Sequence, residues 1–446
     1  MTLADLILGP LYFGIVFFLA KMFEKKLVIG AEEKHFYIRA FLLKIIGVTA
    51  FAFIYEFYYR GGDTMGFYTW SQAFLDYLIN DFSSAISFLF TDSPEAFSKF
   101  KYNYGSPKYS YILKYNTREA IFIKMTSIIN LLSMNTYLST SYVFALISFV
   151  GNWLLYKVFI YHYPKIKKEL AYAVLFIPSV SFWGTGILKD TLTFSALCFL
   201  VYALHKAFIV GENKVRNIFV IIFMAYLIMT LKAYILLAFL PAGVVWVFNE
   251  KKSKIKSGAM RALLTPIFFL MIMATLGGLV LMLGESAGRF SISSLEQTTK
   301  DFQGWHAVAS ENGSGYTIHS TGTSVTSLLT AFPESINVTY FRPYLWESGS
   351  IVVLMGAMES LFLLLYFLKI IIFKGKIIIF FRAIFSKPII QMSLIFALFF
   401  GFVVGFTSFN FGALARYKVP SMPFFVAFLV MVSHQIDILK GKVKEI

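Results

Sequence analysis

The run IVVLMGAMESLFLLLYFLKIIIF, residues 351–373, decides the fold class. It is almost wholly apolar, and Glu359 and Lys369 are its two charged residues. A helix needs about 20 apolar residues to cross a bilayer, because the hydrocarbon core is about 30 Å thick. A transmembrane barrel would show alternating segments of about ten residues instead. The run therefore predicts a membrane-spanning helix.

The rest of the chain has the same character. Of its 446 residues, 58% are apolar and 14% are charged, whereas soluble proteins carry about 25% charged residues. Spans in lipid must be helical here, because each backbone polar group needs a partner within its own segment. We predict an all-α polytopic membrane protein of one domain, residues 1–446. About eleven spans are expected, at residues 6–20, 41–59, 137–159, 170–187, 191–208, 218–231, 234–248, 263–283, 351–373, 390–409 and 422–438.

The basic residues predict the orientation of these spans. With the N-terminus outside, roughly two thirds of the 40 Lys and Arg residues fall on cytoplasmic segments, as the positive-inside rule requires. The C-terminus is then cytoplasmic. The net charge of +16 follows from topology, so it is no argument for nucleic acid as a partner.

Two long polar segments, residues 60–120 and 284–350, are then outside. We expect interfacial helices within the first polar segment and directly after it, at about Met65–Ile79, Ser83–Phe90 and Ile121–Met134. These stretches are amphipathic or too short to span the membrane. Cys198 is the one cysteine, so an intramolecular disulfide and a cysteine metal cluster are both excluded.

The first candidate site is the stretch YRGGDTMGFY, residues 59–68, which follows the second span. Asp63 fits two roles: the N-cap of the next helix, or a general base or metal ligand for an acceptor hydroxyl. Glu56 lies inside the span, where an ionisable group is a functional hypothesis by default. A plain i,i+4 pair between Glu56 and Arg60 is the alternative.

The second candidate site is Lys189-Asp190, after the helix-breaking run PSVSFWGTG at residues 178–186. One interpretation is an exposed ion pair in a hydrated turn. The other is that Lys189 binds a phosphate at the membrane surface, with Lys232 of the next outer turn assisting. A snorkelling lysine is the alternative for Lys232.

The third and fourth candidates lie towards the C-terminus. Arg342 and Glu347 belong to the cluster YFRPYLWE, residues 340–347, which fits an interfacial aromatic belt. Tyr344 and its aromatic neighbours also suit a sugar ring stacked beside a phosphate. Arg416 and Lys418 are two cations in a short outer connection, against the local charge bias. We expect them to bind phosphate, because Arg offers a bidentate fork and Lys a point charge.

Metal binding has little support in the sequence. His306 and His319 are far apart and have no further ligand pattern around them. We find no P-loop, H-E-x-x-H or G-x-S-x-G motif. No metal site is predicted and no cofactor is assigned, although a divalent metal is not excluded by the residue types.

These features resemble the GT-C-type membrane glycosyltransferases and the related polysaccharide polymerases of bacterial envelopes. The resemblance rests on three stretches: Gly61-Gly62-Asp63-Thr64; Pro178-Ser179-Val180 with Trp183-Gly184-Thr185-Gly186 and Lys189-Asp190; and Arg416-Tyr417-Lys418-Val419-Pro420 before Met422-Pro423. It implies an all-helical fold, with Asp63 as catalytic base and Arg416 and Lys418 on the phosphate of a polyprenyl-linked sugar. Lys189 and Arg342 would assist.

The expected function is glycosyl transfer from a polyprenyl-phosphate-linked sugar to a saccharide or lipid acceptor, at the outer face of the bacterial inner membrane. Polysaccharide polymerisation is one form of it. The expected partners are membrane lipids, the donor and the acceptor. A transporter or flippase of lipid-linked sugars is the alternative. It would need charges deep inside spans, where acidic residues are few (mainly Glu56 and Glu359), and the short pair of spans at residues 218–248 favours it most. A non-catalytic subunit of an envelope assembly is the third hypothesis.

Overall fold

The computed structural model describes residues 2–91, 93–253, 315–318, 325–374 and 376–443. These residues are nearly all helical, and no β-strand occurs among them. Eight of the described helices are long and apolar enough to cross a membrane. The fold class of an all-α integral membrane protein is thereby confirmed. The predicted span at residues 263–283, with His306 and His319, lies outside the described residues.

The N-terminal third contains two long helices and then shorter ones. They are α1 (Leu3–Leu27), α2 (Ala31–Phe53, continued by a π-helical turn at Ile54–Tyr58), α3 (Asp63–Asn80), α4 (Phe82–Phe90), α5 (Pro94–Lys99) and α6 (Arg118–Leu132). The helices predicted at Met65–Ile79, Ser83–Phe90 and Ile121–Met134 thus exist as α3, α4 and α6. Phe67 and Phe122 hold α3 against α6, with ring centroids 4.7 Å apart.

The middle of the chain departs from the predicted spans at one place. Its helices are α7 (Tyr137–His162), α8 (Lys167–Leu175), α9 (Pro178–Trp183), α10 (Lys189–Leu204, continued by a π-helical segment at His205–Val210) and α11 (Lys214–Ser253). The span predicted at residues 170–187 is instead the two short helices α8 and α9. Pro178 explains the break, because proline disfavours a helical residue before it and readily starts a new helix.

Helix α11 contains both spans predicted at residues 218–231 and 234–248. It runs for 40 residues and is interrupted at Lys232, whose backbone is non-helical, at φ −149° and ψ 72°. Lys232 is the residue that we predicted to join the two spans. The break is therefore a kink in one long element.

Short helix α9 is held against α2 by close packing. A Cβ at Gly47 of α2 would lie 2.0 Å from the carbonyl oxygen of Ser181, so only glycine allows this approach. The ammonium of Lys44 is buried beside it and donates to the carbonyl oxygen of Val180 at 2.9 Å. The Lys44 side chain thus contacts α9 inside the protein.

The described C-terminal part contains six α-helices, of which we did not predict the first, the third and the fifth. The helices are α12 (Val325–Phe341), α13 (Ile351–Phe373), α14 (Ile377–Ser386), α15 (Pro388–Ser408), α16 (Phe411–Tyr417) and α17 (Met422–Leu439). Helix α12 falls in the segment predicted to be polar and outside. Helix α12 packs closely against α15 because α15 has glycines at the contact. A Cβ at Gly405 would lie 2.2 Å from the carbonyl oxygen of Ser335, and a Cβ at Gly401 would lie 2.7 Å from the ring of Tyr340.

Two compact units make up the chain. The first unit consists of Met1–Trp153, Val180–Ala196 and Thr230–Lys232, and the second of Leu154–Ser179, Leu197–Met229 and Ala233–Ile446. The core of the first unit includes Tyr37, whose ring lies 4.8 Å from those of Phe149 and Trp153. The core of the second includes Phe396, whose ring lies 4.8 Å from that of Phe424.

Candidate functional sites

Asp63 lies in the first unit and begins α3, but it is not the N-cap. The N-cap is Gly62, at φ 96°, and no side-chain capping bond is formed. A Cβ on Gly62 would lie 2.9 Å from the ring of Tyr55. The chain therefore needs glycine at the cap, and our N-cap prediction for Asp63 is wrong. The carboxylate instead lies in the first helical turn, where the helix dipole favours a negative charge.

Side chains from residues 108–111 surround the start of α3. The ammonium of Lys108 donates to the carbonyl oxygen of Arg60 at 3.3 Å. Burial raises the pKa of the Tyr111 hydroxyl, and the charge of Asp63 raises it further while Lys108 lowers it. The charges of Asp63 and Lys108 thus both act on the hydroxyl of Tyr111. No sequence pattern pointed to Lys108 or Tyr111, because they lie more than 40 residues away from Asp63 along the chain.

Glu56 and Arg60 lack the regular helical spacing on which their predicted pairing depended. Residues 54–58 form a π-helical turn, and Arg60 has a left-handed backbone at φ 51°. The i,i+4 geometry of an α-helix therefore does not apply to these two residues.

Lys189, the first residue of α10, forms an ion pair with Glu119 of α6. Its ammonium also lies 5.8 Å from the centroid of the Phe67 ring. Burial by itself would raise the pKa of Glu119, but the charge and hydrogen bond of Lys189 bring that pKa below its ordinary value. A ligand phosphate at Lys189 would have to compete with this carboxylate.

Asp190 pairs with Lys232 at the kink of α11. The pair is buried, with Asp190 3% and Lys232 7% exposed. The exposed Lys189–Asp190 pair that we considered is therefore wrong. Adjacent residues of a helix point in different directions, so Lys189 and Asp190 each pair with a residue of a different element.

Arg342 of the second unit is held by one carboxylate and several rings. Its Nε lies 3.1 Å from each carboxylate oxygen of Glu347. Its Nη2 also donates a hydrogen bond to Oε1 of Glu347. The guanidinium carbon lies 5.4 to 5.8 Å from the ring centroids of Phe411, Tyr316 and Tyr344. This environment fixes the orientation of a cation beside aromatic faces.

Tyr344 continues this aromatic surface outward. Its ring stacks on that of Trp346, with centroids 4.9 Å apart, and Trp346 is 82% exposed. Tyr340, which belongs to the same sequence cluster, is fully buried against Phe425. Tyr340 is therefore a packing residue, and Tyr344 with Trp346 forms the accessible aromatic pair.

The last two predicted cations differ in exposure. Arg416 is half-buried, and its guanidinium lies 5.0 Å from the centroid of the Tyr417 ring. Lys418 is 1% exposed, and its ammonium lies 3.4 Å from the hydroxyl of Ser360. Burial lowers the pKa of Lys418, and the Glu359 carboxylate opposes this shift. Ser360 also donates to the carbonyl oxygen of Arg342 at 3.0 Å, which links Lys418 to the Arg342 segment.

The predicted site residues thus fall into two sets. The first unit holds Glu56, Arg60, Asp63, Lys189 and Asp190; the second holds Arg342, Tyr344, Glu347, Arg416 and Lys418. In the part of the chain that the structure describes, no three His, Cys, Asp or Glu side chains are arranged to hold a metal ion.

The fold and sites define the class: an integral membrane protein with helical spans and clustered charges. No protein-family model, no curated protein and no solved structure matches this chain.

Proposed function

We propose that the protein transfers a sugar from a polyprenyl-phosphate donor to an acceptor hydroxyl. The main support is the Arg342 environment in the second unit. A guanidinium held beside the stacked Tyr344–Trp346 pair offers a phosphate fork next to an aromatic face. Aromatic rings are suitable platforms for the apolar face of a sugar, because they provide large flat apolar surfaces. Glu347 would hold the guanidinium in position for the phosphate.

The reaction is a displacement at the anomeric carbon. The acceptor oxygen forms a bond to that carbon, and its proton passes to a carboxylate. The bond between the carbon and the phosphate oxygen breaks, and the phosphate leaves with the electron pair. Arg342 and Arg416 would stabilise the charge that gathers on the phosphate.

In the first unit, Asp63 stays the base that we propose from the sequence, with Glu56, Arg60 and Asp190 as supporting residues and Lys189 as a phosphate contact of that unit. Full transfer by an Asp63→Asn variant would contradict this role. The proposed topology has an outer N-terminus and a cytoplasmic C-terminus in the bacterial inner membrane, so that the reaction takes place at the outer face. Polymerisation of a polysaccharide is the form of transfer in which the acceptor is itself a saccharide.

The test uses purified protein in proteoliposomes with polyprenyl-linked saccharides extracted from bacterial membranes. We expect transfer by the wild-type protein, and a decrease in kcat/KM of about tenfold or more in Arg342→Lys, because a lysine cannot form the bidentate contact. Arg382→Lys, at an exposed position of α14, is the matched control and should retain activity. A wild-type protein without transfer contradicts the proposal.

A second candidate, transport of lipid-linked sugars, is favoured by the buried Asp190–Lys232 pair at the kink of α11. Broken helices with ionisable groups near the middle of a span are typical of transporters. The same proteoliposomes distinguish the two functions. A transporter would move the donor across the bilayer and leave its sugar–phosphate bond intact.

A further inference from the structure

A polar cluster inside the second unit consists of Ser179, Glu359, Ser360 and Lys418. Glu359 lies in α13, one of the most apolar helices that the structure describes. A carboxylate inside a membrane span is energetically costly unless it has partners or a function. The proposed transfer reaction gives Glu359 no role.

One oxygen of Glu359 is anchored and the other is not. Oε2 accepts a hydrogen bond from the backbone N–H of Ser179 at 2.9 Å, at the start of α9. Oε1 is buried and has no hydrogen-bond partner among the described residues, and the same holds for the hydroxyl of Ser179. Buried polar atoms without partners are uncommon in native proteins. Two of them next to the same hydrogen bond indicate a place where a polar group binds.

Lys418 supplies the opposite charge. It is 1% exposed, and its ammonium approaches Ser360, the residue after Glu359. The carboxylate of Glu359 acts on this ammonium, since it opposes the effect of burial on the pKa of Lys418. The cluster therefore combines the buried amine of Lys418 with the carboxylate of Glu359.

This charge balance selects the chemistry of the ligand. Because Lys418 and Glu359 differ in the sign of their charge, neither a cation nor an anion would interact favourably with both groups. A neutral hydroxyl fits both groups, because it can donate to Oε1 of Glu359 and accept from the ammonium of Lys418. The Ser179 hydroxyl can pair with a neighbouring hydroxyl of the same molecule. Groups of adjacent hydroxyls are characteristic of saccharides.

We propose that Glu359, Ser179 and Lys418 bind a hydroxyl group of the saccharide acceptor, an assignment that rests on the proposed transfer function. Glu359 is then a binding residue that orients the hydroxyl, in the same unit as Arg342 and Arg416.

The test measures binding directly, by saturation-transfer-difference NMR on the purified full chain in detergent. The probes are the methyl glycosides of glucose, galactose, mannose and N-acetylglucosamine. We expect at least one to bind the wild-type protein, about tenfold more weakly to Glu359→Gln and about threefold more weakly to Ser179→Ala, because each variant removes one hydrogen-bonding group. Glu212→Gln, at an exposed glutamate paired with Lys206, is the matched control and should bind normally.

Two results overturn the proposal: no binding of any probe to the wild-type protein, or unchanged binding in both variants, which would mean that the cluster holds only water. If Glu359→Gln does not fold, Ser179→Ala decides, since it removes a single oxygen.

The binding and transfer assays separate the two proposals. If glycosides bind in a way that depends on Glu359 but no sugar is transferred, the proposed transfer function is contradicted and the proposed hydroxyl-binding site stands. Transfer by Glu359→Gln with an unchanged acceptor KM contradicts the hydroxyl site and leaves the transferase.

Discussion

At the scale of single residues, Gly62 shows how a local requirement positions a candidate group. Its φ of 96° is a left-handed conformation that favours glycine, and the ring of Tyr55 occupies the space of a side chain. The glycine ends one element and begins α3, so Asp63 enters the first helical turn. Of the adjacent glycines Gly61 and Gly62, only Gly62 has a positive φ.

We expect Gly62→Ala to lower the free energy of unfolding by about 1–3 kcal/mol, because the backbone is strained and the Cβ contacts Tyr55. Unfolding in SDS, followed by circular dichroism, measures the change. Gly356→Ala is the control, since a Cβ at Gly356 meets nothing within 4 Å and alanine favours a helix. Equal losses in the two variants would contradict the explanation.

The Lys189–Glu119 pair predicts a dependence of stability on pH. The pKa of Glu119 is lower in the folded protein than its ordinary value of 4.5. The contribution is therefore fully present above pH 4.5 and is lost as pH falls through the lower folded pKa. Glu119→Gln should remove this part of the acid sensitivity.

The measurement is the midpoint of thermal unfolding between pH 3 and pH 7, at about 0.1 M salt to limit screening changes. Glu95→Gln is the control, because the Glu95 carboxylate is 83% exposed. If the wild-type protein and Glu119→Gln show the same acid sensitivity, the assignment to this pair is wrong.

At the scale of elements, two interruptions shape the spans. Pro178 separates α8 from α9, and Lys232 kinks α11. Both interruptions were visible in the sequence, as a Pro- and Gly-containing run and as a lysine between apolar stretches. The sequence did not show that the lysine at one interruption is the partner of Asp190 at the start of α10.

We expect Lys232→Met to destabilise the protein by about 3–5 kcal/mol, because it leaves the buried Asp190 carboxylate without its ammonium. Denaturant unfolding in detergent measures this loss. Lys206→Met, which breaks a more exposed pair with Glu212, should cost about 1 kcal/mol or less.

The double variant Asp190→Leu with Lys232→Met should recover most of the stability, since it removes both charges together. A double variant as unstable as Lys232→Met alone would show that the kink depends on other contacts.

At the scale of the whole molecule, the proposed orientation can be tested with introduced cysteines. Glu95→Cys lies in the predicted outer segment and Lys165→Cys in a predicted cytoplasmic one, and both positions are exposed. The natural Cys198 is buried and should give a low background. In right-side-out vesicles, a membrane-impermeant maleimide should label Glu95→Cys and spare Lys165→Cys. The opposite labelling would invert the proposed topology.

The sequence by itself determined the elements that depend on the bilayer. Residues 351–373 were predicted with the bounds that the structure has, because an apolar run of this length has few stable alternatives in lipid. Helix α12 was missed, because Pro333 and several polar residues hide its pattern, and its stability comes from packing against Gly401 and Gly405.

Only the tertiary structure decided which charges meet. The partner of Lys189 is 70 residues away along the chain, that of Lys232 is 42 residues away, and Glu359 accepts from Ser179 across 180 residues. Local sequence specifies that such groups are unusual in a membrane protein. It does not specify their partners, because pairing between distant segments depends on how the helices pack.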